Sequence, residues 1–152
     1  MNAQPQQDTI VVGTDGSPTA ARAVAEAVRL ANLLRAEVHI VSAYEPLRGA
    51  RIAGVPAGDA EARAVWPDSQ VRAILDEAAA AARIEGAQVK THAVDKRPAD
   101  AILEVATELR ASLIVVGSQG MHGAKRLVLG SVPNTVSHQA RCNVLIVSTG
   151  QR

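Results

Sequence analysis

The chain has 152 residues, of which 47% are hydrophobic, 20% are charged and only 1% are aromatic. A chain of this length fits one domain with an aliphatic core that needs neither a metal nor a disulfide. Sixteen Lys and Arg against fifteen Asp and Glu leave a net charge of +1, which argues against a protein that binds nucleic acid by neutralising phosphates. Cys142 is the single cysteine, so an intrachain disulfide is excluded.

Two further features bear on where the protein resides. No apolar stretch approaches the ~20 residues that span a bilayer, and the polar residues 1–8 lack the apolar core of a signal peptide. We therefore expect a cytoplasmic protein that binds neither membranes nor nucleic acid. We also expect a disordered segment at 1–8 and a single domain at 9–149.

The first elements are clear from their patterns. The β-branched run Thr9–Gly13 predicts a buried strand. Ser17 is a favourable helix N-cap and Pro18 suits the first helical position, so a helix is predicted to run to about Leu34. Val38–Ala43 then predicts a second strand.

The middle of the chain is less regular. Prolines and glycines interrupt any period over Glu45–Pro67, which predicts a long loop with at most a turn of helix near Asp59–Ala64. Asp68 is the predicted cap of a second helix that stops at Gly86. Val89–Val94 alternates and predicts a third strand.

The last third repeats the strand–helix alternation. Pro98 opens a third helix, Leu113–Gly117 predicts a fourth strand, and Ser131 is the predicted N-cap of a fourth helix. Asn143–Val147 predicts the fifth strand. Apolar strands separated by crossover helices indicate an α/β fold, a doubly wound parallel sheet with helices on both faces.

A glycine-rich loop follows the fourth strand, with Gly117, Gly120 and, after nine further residues, Gly130 and Ser131. Glycines let the backbone approach a ligand closely, and a helix N-terminus favours phosphate. The pattern therefore fits an anion site. It fits equally a structural turn in which Ser131 caps the helix.

A second motif follows the first strand, Gly13-Thr14-Asp15-Gly16-Ser17. A carboxylate at the carboxyl end of a parallel strand lies where such sheets bind ligands. Asp is also a favoured turn and cap residue, so Asp15 alone fits a purely structural role as well.

Together these motifs resemble the universal stress protein family, over nearly the whole chain from Thr9 to Thr149. The resemblance rests on Val-Gly-Thr-Asp-Gly-Ser at the first strand and on Val-Val-Gly-Ser-Gln-Gly followed by Leu-Gly-Ser-Val at the fourth. The spacing of two residues and then nine between the glycines is typical of the nucleotide-binding branch. The resemblance implies strand order 3-2-1-4-5, with both loops beside one crevice.

The resemblance also implies roles for individual residues. Asp15 would meet the ribose of an adenine nucleotide, and Ala43 would offer backbone groups to the adenine. Val116 and Gly117 would line the ribose, and Tyr44 would either stack on the adenine or cover the sheet. The residues expected to hold phosphate are Gly120, Gly130, Ser131 and Val132. The complete set of expected contacts is Gly13, Thr14, Asp15, Ala43, Val116, Gly117, Gly120, Gly130, Ser131 and Val132.

One position departs from the family pattern. Many relatives carry Thr or Ser where this chain has Pro133, and the stretch around it resembles actinobacterial members, some of which bind cyclic AMP. We expect cyclic AMP, or ATP with Mg²⁺, as a regulatory or storage ligand. A slow ATPase and a nucleotide-free interaction module are the alternatives. No catalytic or metal-ligating residue is predicted, and the resemblance implies a homodimer through Asn143–Val147.

Overall fold

The computed structural model describes residues 7–44, 60–119 and 128–149, with 60–68 described by their backbone alone. Five strands form one parallel sheet in the order β3-β2-β1-β4-β5, which confirms the predicted fold. The strands are β1 Thr9–Gly13, β2 Glu37–Tyr44, β3 Gln88–Asp95, β4 Leu113–Gly117 and β5 Asn143–Val147. The helices are α1 Pro18–Leu34, α2 Ala60–Ile84, α3 Pro98–Glu108 and α4 Ser131–Gln139.

The core consists of two aliphatic clusters, one on each face of the sheet. Because side chains alternate along a strand, Ile10 and Val12 of β1 join α1 and α2 on one face, whereas Val11 joins α3 and α4 on the other. The three central strands are almost fully buried. This burial explains why their sequences are apolar runs rather than alternating patterns.

The prediction for the second helix was wrong at its start. Helix α2 begins at Ala60 rather than after a cap at Asp68. The run Ala-Glu-Ala-Arg-Ala at 60–64 consists of strong helix formers, and the sequence prediction gave Pro67 too much weight as a helix breaker. The rest of the predicted loop, 45–59, lies outside the described residues.

Residues 1–6 of the predicted disordered segment also lie outside the described residues. Asp8 is described, and its carbonyl accepts a hydrogen bond from the Glu37 amide at 2.9 Å. Within the described part of the chain, no helix is long and apolar enough to cross a membrane.

Candidate functional site

A crevice opens at the carboxyl ends of β1 and β4, where the strand order of the sheet reverses. Its volume is about 440 Å³, within the range of roughly 300–1,000 Å³ that is common for small-molecule sites. Ligands of doubly wound sheets bind at this switch point because the connections on either side leave in opposite directions. The first residues of α3 and α4 complete its walls.

The turn between β1 and α1 forms one side of the crevice. Asp15 Oδ1 accepts a hydrogen bond from the Ser17 amide at 2.9 Å, and Ser17 Oγ accepts one from the Ala20 amide at 3.1 Å. Gly16 has φ +79°, a left-handed conformation that glycine adopts without strain. The N-terminus of α1 is therefore capped by side chains of its own turn.

The start of α4 forms the opposite side and is built differently. The predicted cap was wrong: the N-cap is Gly130, in an extended conformation, and Ser131 is the first helical residue, with no side-chain cap. The Gly130 amide donates to the Ser118 carbonyl at 2.9 Å. The amides of Ser131 and Val132 have, by their position, no acceptor within the helix, and Pro133 has no N–H.

One hydrogen bond joins the two ends of the glycine-rich loop, and two more join its start to Thr149 after β5. Besides the bond between Gly130 and Ser118, the Ser118 hydroxyl lies 3.0 Å from that of Thr149 and accepts from the Thr149 amide at 3.1 Å. A Cβ on Gly130 would lie 3.3 Å from the Ser118 carbonyl oxygen and 3.5 Å from Gln119 Cα. Since both neighbours are backbone atoms, a larger residue here would displace the loop from the helix start.

The remaining walls of the crevice are mostly apolar. Ile102 packs so closely on Gly13 that a Cβ there would collide with its side chain. Ala43, Val41 and Val116 contribute further apolar surface. These walls suit a flat, weakly polar group, whereas the α4 end offers the N–H donors.

Charge in the crevice comes from a single described residue. Asp15 is exposed and is the only charged side chain among the described lining residues. An anion at α4 would therefore be held by amides and the helix dipole. Asp15 would accept hydrogen bonds from a hydroxyl-bearing group.

Nine of the ten sequence-predicted site residues line this crevice, and Gly120 lies outside the described residues. Tyr44 is not among the lining residues. It packs against the cluster on the α1 and α2 face, which favours the interpretation that its ring covers the sheet. Pro133, which the sequence singled out as a departure from the family pattern, also lines the crevice. Six lining residues were missed by the sequence reasoning: Ala20, Val41, Ser42, Pro98, Ile102 and Gln119.

Some of these could have been found from the sequence. Ser42 and Val41 precede Ala43 on the same strand, and Pro98 begins a helix whose start must face the same sheet edge. Ile102, one turn into α3, carries no sequence signal that separates a crevice wall from ordinary core. Its position follows only from the packing on Gly13.

A larger cavity of about 840 Å³ lies between α1 and α2. Its described lining combines alanine and valine with charged residues such as Arg29, Glu77 and Glu85, and no strand end contributes to it. The one helix N-terminus in this lining, that of α1, is capped by Ser17. The smaller crevice combines strand ends, a carboxylate and available amides. We therefore take it as the functional site.

The fold and this crevice match a known family. The family model described as "Universal stress protein family" matches residues 7–148. The chain belongs to the universal stress protein family. It is 38% identical over 143 residues to the universal stress protein Rv1636 of Mycobacterium tuberculosis H37Rv, covering 93% of this chain and 96% of that protein. It is 37% identical over 145 residues to the universal stress protein YxiE of Bacillus subtilis, covering 91% and 97%.

Solved structures of family members agree with this assignment. A crystal structure of a universal stress protein in complex with cAMP superimposes with a TM-score of 0.73 at 34% identity, covering 95% of this chain and 99% of that one. A universal stress protein from Archaeoglobus fulgidus in complex with dAMP has a TM-score of 0.66 at 26% identity, with coverage of 93% and 98%. Both of these family members therefore bind an adenine nucleotide.

Proposed function

We propose that this universal stress protein binds an adenine nucleotide in the crevice between β1 and β4, as a regulatory or storage ligand. The observation that carries the proposal is the start of α4, which has no side-chain cap and whose residues Ser131 and Val132 line a crevice of nucleotide-compatible size. The adenine nucleotides bound by the two similar family members support the same ligand class.

Each part of a nucleotide has a matching surface. The phosphate would lie at the α4 N-terminus, where two amides and the helix dipole favour negative charge. The ribose hydroxyls would donate to Asp15, whose Oδ1 already accepts from Ser17. The adenine would lie against the apolar wall near Ala43 and Ile102.

We infer that cyclic AMP binds at least as well as ATP. A cyclic monophosphate carries one charge, which two amides can meet. A triphosphate needs more donors and a divalent cation, and Pro133, which lines the crevice, offers neither an N–H nor a hydroxyl. Lys125 and Arg126, the cations nearest in sequence, lie outside the described residues.

We also propose that the protein is not an enzyme. Hydrolysis of ATP would need a group that orients or deprotonates water beside the terminal phosphate. Among the described lining residues, Asp15 is the only titratable group, and it belongs to the β1–α1 turn, across the crevice from α4. A slow ATPase would show phosphate release that depends on Asp15 and Mg²⁺.

Competition binding tests the ligand preference. Labelled cyclic AMP is loaded and then displaced with unlabelled cyclic AMP or with ATP and Mg²⁺. We expect ATP to need equal or higher concentrations. Pro133→Thr restores one donor and adds a hydroxyl, which should shift the balance towards ATP about fivefold, because one hydrogen bond contributes ~1 kcal/mol.

Pro133→Ala is the matched control, since it restores the N–H without the hydroxyl. Displacement of the label by ATP at concentrations well below those of cyclic AMP would refute the preference. If neither Pro133 variant moved the balance, selectivity would be set elsewhere in the site.

We further propose a homodimer through β5. This strand lies at one edge of the sheet, and its residues from Val144 to Val147 are only partly buried. Val144 and Ile146 pack on one face, whereas Leu145 and Val147 pack on the other. An apolar edge strand of this kind pairs readily with another chain.

Light scattering on the purified protein tests the dimer. We expect a dimer at micromolar concentration, and we expect Leu145→Pro to give monomers or aggregates because proline removes a ladder donor. Thr91→Pro, on the opposite edge strand β3, is the control and should leave the dimer intact. A wild-type monomer would contradict the proposal.

A further inference from the structure

A chain of three polar side chains joins β2 to β3 on the face of the sheet covered by α3. His39 on β2 is only 2% exposed. Its Nδ1 lies 2.8 Å from Nε2 of His92 on β3, and its Nε2 lies 3.0 Å from Oε2 of Glu37. The two rings are stacked, with centroids 5.1 Å apart. Both nitrogens of a buried imidazole are thus engaged.

The proton positions in this chain follow from its chemistry. A carboxylate only accepts, so Nε2 of His39 must donate to Glu37. Nδ1 of the neutral His39 ring is then an acceptor, and His92 must donate to it through Nε2. A proton added to His92 at Nδ1 leaves this chain intact.

The charged groups near His39 and His92 come from β2, β3 and α3, whereas β1 contributes an apolar neighbour. Lys90 of β3 pairs with Glu37 at 3.0 Å, and Glu108 of α3 also acts on His92. The residue of β1 in register with His39 is the apolar Val11. Burial, and then the charge of His39, lower the pKa of His92 below its ordinary value of 6.5, against the opposite effects of Glu108 and Glu37.

We propose that the Glu37–His39–His92 chain is an acid-sensitive latch that holds edge strand β3 onto β2. Near neutral pH, the hydrogen bond between the two rings joins the two strands. As the pH falls, the half-buried His92 takes up a proton whose charge its surroundings disfavour, and the attachment of β3 to β2 weakens. None of the three latch residues is among those that line the crevice of the proposed nucleotide site, although His92 is in register with Val41, which does line it.

The direction of the pH effect follows from linkage. Because the folded protein holds the pKa of His92 below 6.5, the unfolded chain binds more protons as the pH drops through that value. Stability is therefore fully present above the unfolded pKa and is lost as the pH falls towards the folded one. The loss should concentrate at β3, the strand that the latch secures.

Thermal unfolding at about pH 7.5 and about pH 5.5 tests the latch. His92→Gln removes the titration while keeping an N–H that can donate to His39. We expect the wild-type midpoint to fall by about 2–4 °C more than that of the variant over this interval. His138→Gln is the matched control, because His138 is exposed in the last turn of α4. The midpoint of this control should fall by as much as that of the wild type.

If His92→Gln fails to fold, a second measurement on the wild-type protein still tests the proposal. Hydrogen exchange is followed for the amides of β3 and β5 at both pH values, corrected for the intrinsic exchange rates. The latch predicts that protection of β3 falls in acid relative to β5. Equal losses on both edge strands, or equal midpoint shifts in the wild type and His92→Gln, would overturn the proposal.

Discussion

Helices α1 and α4 both begin at the crevice after a glycine-containing turn, yet their first turns are completed in opposite ways. The start of α1 is closed by its own side chains, with Ser17 Oγ accepting from Ala20 and Asp15 accepting from Ser17. The start of α4 has Gly130 at the N-cap and no side-chain cap. Its first two residues, Ser131 and Val132, line the crevice.

The difference separates a structural turn from a binding turn. Four amides at every helix start need acceptors, and a cap such as Ser17 satisfies one of them with the protein's own atoms. Where no side chain caps the helix, water or a ligand takes that place. We therefore interpret the β4–α4 loop as the anion site and the β1–α1 turn as a rigid arm that presents Asp15.

The largest expected effect on nucleotide affinity comes from a bulky side chain in the β4–α4 loop. Gly130→Val would push against the Ser118 carbonyl and the Gln119 backbone and so displace the Ser131 and Val132 amides. A hydrogen bond to a charged group contributes about 1.5–3 kcal/mol, so losing two should weaken nucleotide binding more than a hundredfold. Titration calorimetry with cyclic AMP measures this loss.

Gly86→Asn is the control for that variant. Gly86 follows the end of α2, whereas Gly130 precedes the start of α4; a Cβ on Gly86 would meet open space. Gly86 has φ +84°, a conformation that asparagine tolerates. The control should bind as the wild type does. Undiminished affinity in a folded Gly130→Val protein would remove the α4 start from the site.

The next largest effect on nucleotide affinity separates two roles of Asp15, which are binding the nucleotide and stabilising the β1–α1 turn. Asp15→Ala should weaken nucleotide binding ten- to a hundredfold, because one charge-assisted hydrogen bond of about 1.5–3 kcal/mol is lost. Asp15→Asn keeps an acceptor for the Ser17 amide and should lose less affinity. Ser17→Ala, which alters the cap but not the crevice lining, should leave the affinity unchanged. Wild-type affinity in all three variants would show that Asp15 stabilises only the turn and does not contact the nucleotide.

The smallest effect contrasts the two serines in stability rather than binding. Ser17→Ala removes the α1 cap and should lower the free energy of unfolding by about 0.5–2 kcal/mol. Ser131→Ala removes an exposed hydroxyl that caps nothing and should change the free energy of unfolding by no more than about 0.5 kcal/mol. Urea unfolding of both variants measures the difference. A larger loss at Ser131 would mean that α4 is capped after all.

Much of this arrangement could be predicted because its signals are local. Apolar β-branched runs define β1, β4 and β5, and Ser17 followed by proline marks the start of α1. The strand order came from the family resemblance, and the structure bears it out.

The errors have physical reasons. Ser131 looked like a cap because serine is a good one, but glycine at 130 already takes the extended conformation that the N-cap needs. The bond between His39 and His92 depends on strand register. His92 faces Val41 and lies diagonally across from His39, a placement that spacing along a single chain does not show.

The most direct measurement of the central claim is an amide NMR titration of the protein with cyclic AMP. If the α4 start is the phosphate site, the Ser131 and Val132 amides should show the largest shifts and the lining amides near Ala43 smaller ones. The capped amide of Ala20 should show little change beyond that of its neighbours. Saturable shifts confined to residues that line the larger cavity between helices α1 and α2 would contradict the account, as would the absence of any saturable shift.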